Sequence, residues 1–573
     1  MNFEKIYLDG INNFLNNNYK SDSNTLSKFL NQNRNLIFDL LNNKLIVDQT
    51  VKIINFLISK NKIEFSIIYL EILSSKFPHD YELKYQLANA CASINLFKLA
   101  ERHVSLIPPN ELKSQHYKLI INIYHKLQNF DDCIKYIQIL RNIEGEDAIG
   151  TQILIDCYRR SGNMINAKIE YENLTKFQLD KLIMSILLVQ LLLAEGKFDL
   201  ARNELDKTIS EFPENSELRE LKSLINFKYK EFDKAIKEIQ VAKQNGYNDY
   251  DSAVYDYYLC NKDFKNGFES LIKATKNNII DNFFKSKNIK TWTGQDLSNK
   301  KLFIYPGDGI ALGDQIFFFR YICDLSHKYK NIKIYLLLTS LKTKKLFTYQ
   351  NVEIIDINYL DKHLTNSEIE YFANFPNLAN IYAKSNPYNW IPKFYNFLPK
   401  TEKKTLFWSD YIKKRSFKLN IGLNWKGDLK YKWDVYRSLN VKSLEGILEI
   451  DTINFFLLNI NLTDKEKNFF RKFSNVTIIN DELLEDEKNF TFIDTIEIIR
   501  NLDAVVSTDT SIAHLAASMN ANLYLLLEYS PFWYWATSEN ENYYQNQNIN
   551  FINQVVPGDW SSALNKLKNK ILN

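Results

Sequence analysis

The 573-residue chain has few cysteines and no strong excess of charge of either sign. Its five cysteines are Cys91, Cys133, Cys157, Cys260 and Cys323, and no two of them form a C-x-x-C pair. This spacing argues against a zinc site or a disulfide framework and fits a reducing compartment. The formal net charge of +4 implies no polyanionic partner, so we expect no binding to nucleic acid.

Segments that would send the chain to or through a membrane are also missing. The first residues, MNFEKIYLDG, lack the basic and apolar pattern of a signal peptide. The longest apolar run, residues 182–194, is shorter than a transmembrane helix requires. We therefore expect a cytoplasmic protein without a transmembrane segment. The chain is too long for one hydrophobic core and should fold as several domains.

The first half of the sequence repeats about every 34 residues. A small residue recurs at each step, with an apolar residue three positions before it, and Gly162 and Gly196 mark turns. The small residues are Ser66, Ala100, Cys133, Ala167, Ala201, Ala235 and Gly267. Each repeat is predicted to be a pair of amphipathic helices that cross at the small residue, a pattern that resembles the tetratricopeptide repeat.

One such helical hairpin cannot bury its own apolar face, so we expect the repeats to stack into a superhelix. Its groove would bind a peptide or a partner protein. Alternatively, the array would only support the second half of the chain or mediate self-association.

The second half alternates strands with helices, which is typical of parallel sheets. Strands are predicted at 302–305, 332–338, 352–355, 421–425, 453–460, 476–479, 504–506 and 523–527. Residues 371–395 are rich in aromatics and proline, and we expect a loop there. The predicted division is a helical cap or degenerate repeat (1–45), the repeat array (46–276), a connector (277–300) and two sheet domains (301–415 and 416–573). A cleft is expected between the carboxyl edges of the two sheets.

The most informative motif is the strand-to-helix turn within residues 502–517. A helix start offers unpaired N–H groups and partial positive charge, which suits a phosphate group. The side chains at the turn are those of Ser507, Thr508, Asp509, Thr510 and Ser511, with His514 on the same helical face as Ser511. The alternative is a capped core helix with no ligand.

A second motif, Gly309-Ile310-Ala311-Leu312-Gly313-Asp314-Gln315, follows the first predicted strand of the second half. Its glycines would let the backbone approach a ligand, so Gly309, Gly313 and Gln315 are candidates for the cleft loop. Asp314 could serve as a helix cap or as a general base. The motif is neither a P-loop nor a G-x-G-x-x-G fingerprint, which disfavours kinases and dinucleotide enzymes.

Two further clusters follow predicted strands. Lys426 and Arg437, with Lys430 and Lys432 between them, could neutralise a diphosphate, or they could form a solvated basic loop. The aromatic segment 528–535 could be a wall on which a base or a sugar stacks. It could equally be an aromatic plug against the repeat array.

In this order, the motifs at 312–321, 422–427, 437–438 and 502–516, with Trp533-x-Trp535, resemble those of bacterial tetratricopeptide-repeat glycosyltransferases. Their catalytic half is similar to the heptosyltransferase-type enzymes of family 9, which have the GT-B fold. The resemblance implies transfer of a hexosyl or heptosyl group from a nucleotide-diphospho-sugar to a protein, lipid or glycan acceptor. It also implies inversion, with no metal and no other cofactor.

The resemblance also assigns roles by position. Asp314 corresponds to the base that deprotonates the acceptor hydroxyl. Asp509-Thr510-Ser511 and His514 correspond to the turn that holds the donor phosphates, with Lys426 and Arg437 as charge-neutralising residues. Because a carboxylate repels phosphate, we expect Asp509 to cap the helix or to hold His514 or the ribose.

The alternative is a protein-interaction scaffold whose GT-B half is catalytically inactive. Ala311 and Val435, where this chain departs from the family pattern, support that alternative. The retained Asp314, Asp509 and His514 argue against it, since a scaffold does not need them.

Overall fold

The structure is a computed structural model, and it describes residues 38–39, 41–42, 44–59, 62–356, 369–385, 391–393, 395–414, 419–428, 431, 434–479, 490–535 and 543–572. The chain divides into two compact units, Met1–Leu179 and Asp180–Asn573. The helical cap predicted before residue 45 lies almost wholly outside the described residues. None of the helices in the described part of the chain has the length and hydropathy that crossing a bilayer requires.

Within its described residues, the first unit consists of four helical hairpins, each made of two consecutive helices. A shared apolar core runs through the hairpins from Leu41 to Ile123. The helices are α1 (Lys44–Ser59), α2 (Ile63–Lys76), α3 (Tyr81–Ser93), α4 (Phe97–Val104), α5 (Ser114–Lys126), α6 (Phe130–Glu144), α7 (Ala148–Arg160) and α8 (Met164–Leu174).

The second unit begins with three more hairpins of the same kind in its described residues, followed by a single helix, α15. These helices are α9 (Lys181–Ala194), α10 (Phe198–Glu211), α11 (Ser216–Lys228), α12 (Phe232–Gln244), α13 (Tyr250–Cys260), α14 (Phe264–Ala274) and α15 (Asn278–Ser286).

The repeat pattern predicted from the sequence is confirmed in both units. The second helix of every described hairpin begins at the predicted apolar residue: Ile63, Phe97, Phe130, Met164, Phe198, Phe232 or Phe264. The small residue three positions later is buried in each case. At Gly267 a Cβ atom would lie 2.5 Å from Leu259 Cδ2 on the paired helix. The small residues therefore let the two helices of a hairpin cross closely.

The turns inside the hairpins are less visible in the sequence. Two residues before the second helix, six hairpins have a residue with positive φ: Asn95, Gln128, Gly162, Gly196, Lys230 and Lys262. Glycine adopts this conformation at no steric cost, whereas other residues are held there by the packing on either side. The glycine signal therefore marks only two of these turns.

The first sheet is entirely parallel, with the strand order β1-β5-β2-β3-β4. Its strands are β1 (Lys290–Thr291), β2 (Lys301–Tyr305), β3 (Lys333–Leu337), β4 (Val352–Ile355) and β5 (Tyr371–Asn374). Its helices are α16 (Leu312–Lys328), α17 (Phe375–Ser385) and α18 (Glu402–Lys413), with a 3₁₀ turn at Leu341–Leu346.

Residues 277–300, predicted to be a connector, contain α15 and β1. One expectation about an irregular segment was wrong. Residues 371–395, expected to be a loop, contain β5 and α17. Phe372 and Phe375 are buried in the core, and Pro376 lies in the first turn of its helix, where proline is tolerated. The segment has neither regular alternation nor a clear helical period, because buried aromatic residues occupy both elements.

The second sheet is also entirely parallel, with the order β11-β10-β9-β6-β7-β8. Its strands are β6 (Leu419–Asn424), β7 (Ile453–Leu457), β8 (Val476–Thr477), β9 (Ala504–Thr508), β10 (Leu523–Leu527) and β11 (Ile549–Asn553). Its helices are α19 (Asp434–Arg437), α20 (Glu445–Leu448), α21 (Asp464–Phe470), α22 (Phe492–Arg500), α23 (Ser511–Ser518) and α24 (Ser561–Leu572), with a 3₁₀ turn at Val441–Leu444.

Numbered along the chain within the second sheet, this order is 6-5-4-1-2-3, the arrangement of a Rossmann-type sheet. The chain changes direction between β6 and β9, and in the first sheet it does so between β2 and β5. Helical repeats followed by two parallel α/β sheets confirm the predicted fold class. Ligands of such sheets bind outside the carboxyl ends of the strands at these switch points.

Candidate active site

The starts of two helices, one following a strand of each sheet, meet in the structure. Gly313 is the second residue of α16, which follows β2, and His514 belongs to α23, which follows β9. A Cβ atom at position 313 would lie 2.6 Å from His514 Cδ2, so only glycine fits this contact. The structure thus brings together the two turns that the sequence singled out.

Asp314 lies beside this contact, and both of its oxygens are engaged. Oδ2 accepts a hydrogen bond from the Ala311 backbone N–H at 2.9 Å, which caps the start of α16. Oδ1 accepts one from the Tyr534 hydroxyl at 3.0 Å. Burial raises the pKa of Asp314, although the His514 charge and these two hydrogen bonds oppose the rise. The side chain is half-buried, so it combines a cap with a carboxylate of increased basicity.

Asp509 is the second carboxylate of the site, and it is buried. Its Oδ1 accepts a hydrogen bond from Trp535 Nε1 at 2.8 Å and lies 3.7 Å from His514 Nε2. Burial favours its neutral form, but the contact with His514 and the charge of Arg437 outweigh burial and lower the pKa of Asp509. The helix-capping position belongs to Thr510, so Asp509 holds His514 rather than capping α23.

The two carboxylates are therefore shifted in opposite directions. His514 and Asp509 are both close enough to Asp314 to influence its pKa, and Arg437 influences that of Asp509. In enzymes, two neighbouring carboxyl groups with different pKa values can take different roles, such as base and electrostatic stabiliser.

The hydroxyl groups of the β9–α23 turn are mostly used inside the protein. Asn424 Nδ2, at the end of β6, donates to Ser507 Oγ at 3.0 Å and to Thr510 Oγ1 at 2.8 Å. Thr508 is also fully buried, and Ser511 is the half-buried first residue of α23. The Ser507 and Thr510 side chains therefore join β6 to β9 at the switch point. The groups left for a phosphate at this turn are its backbone N–H groups, the half-buried Ser511 and the buried Thr508 Oγ1, which has no hydrogen-bond partner among the described residues.

His514 is itself enclosed. Its ring is buried, and Nδ1 forms a hydrogen bond with the Tyr544 hydroxyl. With Asp509 near its other nitrogen and Gly313 against Cδ2, the ring is fixed on three sides. It can position Asp509 and the two helix starts, but its buried ring presents little surface to a ligand.

Of the two predicted cations, Arg437 faces the site and Lys426 does not. Arg437 Nε donates to Asp434 Oδ1 at 3.0 Å. Burial disfavours its charge, but Asp509 and Asp434 outweigh burial and raise its pKa. Lys426 Nζ instead donates to both Glu466 oxygens, at 2.6 and 2.7 Å, so that carboxylate already neutralises it.

Four other predicted residues remain. Gln315 is fully buried and donates to Thr339 Oγ1 at 2.7 Å, so its side chain is held inside the protein. Gly309 stands in the exposed turn before α16 with a φ of 76° and nothing within 4 Å of a Cβ position. Lys430 and Lys432 lie outside the described residues.

The aromatic segment after β10 is a plug against the repeats, as one of the two hypotheses held. The rings of Trp533, Tyr534 and Trp535 are buried, so they offer no stacking surface to a ligand. The Trp533 ring centroid lies 5.8 Å from that of Phe268 in α14 and 5.4 Å from that of Phe317 in α16. The plug also supplies the donors to both carboxylates of the site, which the sequence did not indicate.

Trp533 also ties this segment to the repeats through its backbone. Its N–H donates to Asp256 Oδ1 in α13 at 3.1 Å. Successive residues 533, 534 and 535 thus bond to a repeat helix, to Asp314 and to Asp509.

No protein-family model and no curated protein sequence matches this chain. A tetratricopeptide repeat protein from Parabacteroides merdae is similar over 42% of this chain and 97% of its own, with 14% identity and a TM-score of 0.36. A glycosyl transferase family 9 protein from Veillonella parvula is similar over 46% and 88%, with 8% identity and a TM-score of 0.32. The ADP-heptose lps heptosyltransferase II of E. coli is similar over 48% and 100%, with 13% identity and a TM-score of 0.31. At these identities and scores the likeness identifies no substrate for this chain.

Proposed function

We propose that the chain is a glycosyltransferase that moves a sugar from a nucleotide-diphospho-sugar to an acceptor hydroxyl, with inversion and without a metal ion. The observation that carries this proposal is the placement of Asp314 beside the β9–α23 turn, through the contact of Gly313 with His514. A carboxylate of raised pKa then faces a helix start at the switch point of a Rossmann-type sheet.

The acceptor hydroxyl loses its proton to Asp314 as its oxygen attacks the anomeric carbon of the donor. The raised pKa makes Asp314 a stronger base than an ordinary aspartate, which suits proton transfer from a hydroxyl near neutral pH. The Tyr534 hydroxyl holds Oδ1 in place, and the Ala311 N–H holds Oδ2.

The diphosphate leaves from the opposite face of the sugar and gains negative charge as the bond breaks. The N-terminal end of α23 and the Arg437 guanidinium stabilise that charge. Asp509 keeps Arg437 and His514 in place without touching the phosphate. Lys426 contributes only if its pair with Glu466 opens on binding.

The repeat hairpins of the second unit give the acceptor or a partner protein a place to dock beside the catalytic half. Support comes from the bond between Trp533 and Asp256, which connects a repeat helix to the segment that holds both carboxylates. The acceptor in this proposal is a protein, a lipid or a glycan.

A second candidate function is an inactive scaffold built on the same fold. The internal use of the Ser507 and Thr510 hydroxyls and the pairing of Lys426 favour it, since these groups would otherwise be open to a donor.

A screen of UDP-, GDP- and ADP-sugars separates the two candidates. We expect at least one of them to raise the melting temperature and to be hydrolysed slowly, as detected by mass spectrometry of the released nucleoside diphosphate. If the protein neither binds nor hydrolyses any of these nucleotide-sugars, it is not a transferase of this kind, and the scaffold function would be supported instead.

A further inference from the structure

A cavity of about 330 Å³, whose lining does not include Asp314, lies between the repeats of the second unit and the carboxyl edge of the second sheet. Its walls come from residues 193–196, Lys228, residues 435–440 and the loops after β10 and β11. Gly196 and Gly558 close one end, since a Cβ on Gly558 would lie 2.6 Å from the Gly196 carbonyl oxygen. A volume of this order is at the lower end of the roughly 300–1,000 Å³ of small-ligand pockets.

Two buried polar groups on the cavity wall have no hydrogen-bond partner among the residues that the structure describes. They are the Ser530 hydroxyl and Gln554 Nε2, on side chains of residues that are 1% and 4% exposed. The orientation of the amide is fixed, because its Oε1 accepts from the N–H groups of Tyr529 at 3.2 Å and Gly558 at 3.0 Å. Buried polar groups are nearly always paired, so these two indicate a ligand that hydrogen-bonds to them.

The charge of the wall indicates a neutral ligand. Lys228 Nζ pairs with Glu528 Oε2 at 2.5 Å and lies 4.5 Å from the centroid of the Tyr436 ring. This pair neutralises itself, so a charged ligand would leave one charge uncompensated in a half-buried place. A carboxylate, an amide donor, a hydroxyl and the aromatic rings of Tyr436 and Trp560 suit a ligand with several hydroxyl groups and an apolar face.

We propose that this cavity binds one ring of a neutral saccharide. Glu528 accepts from its hydroxyl groups, and Gln554 Nε2 and the Ser530 hydroxyl donate to them. The cavity is enclosed on several sides, so a single sugar ring fits it better than an extended saccharide chain. The cavity does not include Asp314, but it adjoins the proposed phosphate site: segment 435–440 carries Arg437, and the charges of Asp509 and Arg437 both influence the pKa of Glu528.

Binding is tested on the full chain by saturation-transfer-difference NMR with D-glucose, D-galactose, D-mannose and N-acetyl-D-glucosamine, each at about 10 mM, in the range of weak monosaccharide affinities. Ser530→Ala removes a hydroxyl that has no partner in the described part of the chain, so the melting temperature should stay the same or rise. We expect at least one sugar to bind the wild type and to bind this variant roughly five- to tenfold more weakly.

Ser562→Ala is the matched control, since it also deletes a buried hydroxyl that the described residues leave without a partner, but it lies outside the cavity lining. It should leave sugar binding unchanged. Gln554→Glu keeps both accepted hydrogen bonds, removes the Nε2 donor, and should weaken binding as Ser530→Ala does. The proposal is overturned if none of the four sugars binds, or if a sugar binds the wild type, Ser530→Ala and Gln554→Glu equally well.

Discussion

Tyr534 and Trp535 are neighbours in the chain, and each donates a hydrogen bond to a different carboxylate of the proposed site. The Tyr534 hydroxyl reaches Asp314 at 3.0 Å, and Trp535 Nε1 reaches Asp509 at 2.8 Å. One dipeptide from the second sheet domain thus fixes an acid that follows β2 and an acid that follows β9. The relative position of the two carboxylates depends on this plug as much as on the sheets.

Tyr534→Phe should change the pH dependence of turnover. The hydrogen bond from Tyr534 lowers the pKa of Asp314 against the larger effect of burial, so its loss should raise that pKa further. The acid limb of the pH–rate profile then moves to higher pH, and the free energy of unfolding falls by about 1–3 kcal/mol.

The control is Tyr382→Phe, which removes a hydrogen bond of 2.6 Å to Asp324 on the same helix, α16. It should lower stability by a similar amount without moving the profile. Equal profiles for wild type and Tyr534→Phe would show that this hydroxyl does not act on the titrating group.

Gly313→Ala should separate the starts of α16 and α23. The added Cβ would lie 2.6 Å from His514 Cδ2, and that ring is held on its other sides. We expect a loss of about 1–3 kcal/mol in the free energy of unfolding, together with a loss of turnover.

Gly446→Ala is its matched control, since nothing lies within 4 Å of a Cβ on that residue of the short helix α20. Alanine there should be neutral or slightly stabilising. If Gly313→Ala and Gly446→Ala both have the same denaturant midpoint as the wild type, the contact between Gly313 and His514 is looser than the structure indicates.

Arg437 and Lys426 should differ in their effect on nucleotide binding. Arg437→Gln removes the cation that faces Asp509 and should weaken binding of the preferred nucleoside diphosphate by roughly tenfold, the value of one charge-assisted hydrogen bond. Lys426→Gln removes a charge already neutralised by Glu466 and should change affinity by less than about twofold. Isothermal titration calorimetry measures the affinity of both variants for the nucleoside diphosphate. A larger loss of affinity in Lys426→Gln than in Arg437→Gln would mean that Lys426 turns toward the donor.

Asp256 should give stability a pH dependence near neutrality. Burial raises the pKa of this carboxyl to about 7, although the Trp533 N–H and Lys228 oppose the rise. The folded state therefore holds a proton that the unfolded state releases near pH ~4, and stability from this group falls as the pH rises from about 4 to 7.

Asp256→Asn should remove that part of the pH dependence. Between pH 5 and 8, the melting temperature of the variant should therefore fall by less than that of the wild type. Asp249→Asn, just before the same helix, should behave like the wild type, since its capping position makes no side-chain hydrogen bond. Parallel curves for wild type and Asp256→Asn would place the titration elsewhere.

The repeat array was the part most readable from sequence. Two helices that cross closely need a small residue at a fixed spacing. Ala100, Ala167 and Ala235 are buried at this spacing, so each one marks a helix crossing in the sequence. Strand-to-helix turns were also readable, because Asp314 and Asp509 follow apolar strands. The strand order could not be predicted from the sequence, because pairing between strands that are distant in the chain produces no local sequence pattern.

The side-chain partners at the site could not be read from local patterns either. Gln315 points into the core and Lys426 to Glu466 because of residues that come from other elements. Asn424 closes the turn from the end of β6, 83 residues before Ser507. The sequence left open whether Tyr534 and Trp535 belong to a ligand wall or to a plug, because an aromatic composition does not say whether the rings are buried.

The most direct test of the proposed function compares Asp314→Asn with Asp308→Asn in nucleotide-sugar turnover and nucleotide affinity. Asparagine at 314 can still accept from the Ala311 N–H, so the cap of α16 is kept, whereas the base is lost. Asp308 lies in the same loop, is exposed, and accepts only from Asn277 among the hydrogen bonds described. We predict that Asp314→Asn abolishes turnover with nearly unchanged affinity for the nucleotide and that Asp308→Asn keeps both. Wild-type turnover in Asp314→Asn would contradict the assignment of Asp314 as the base.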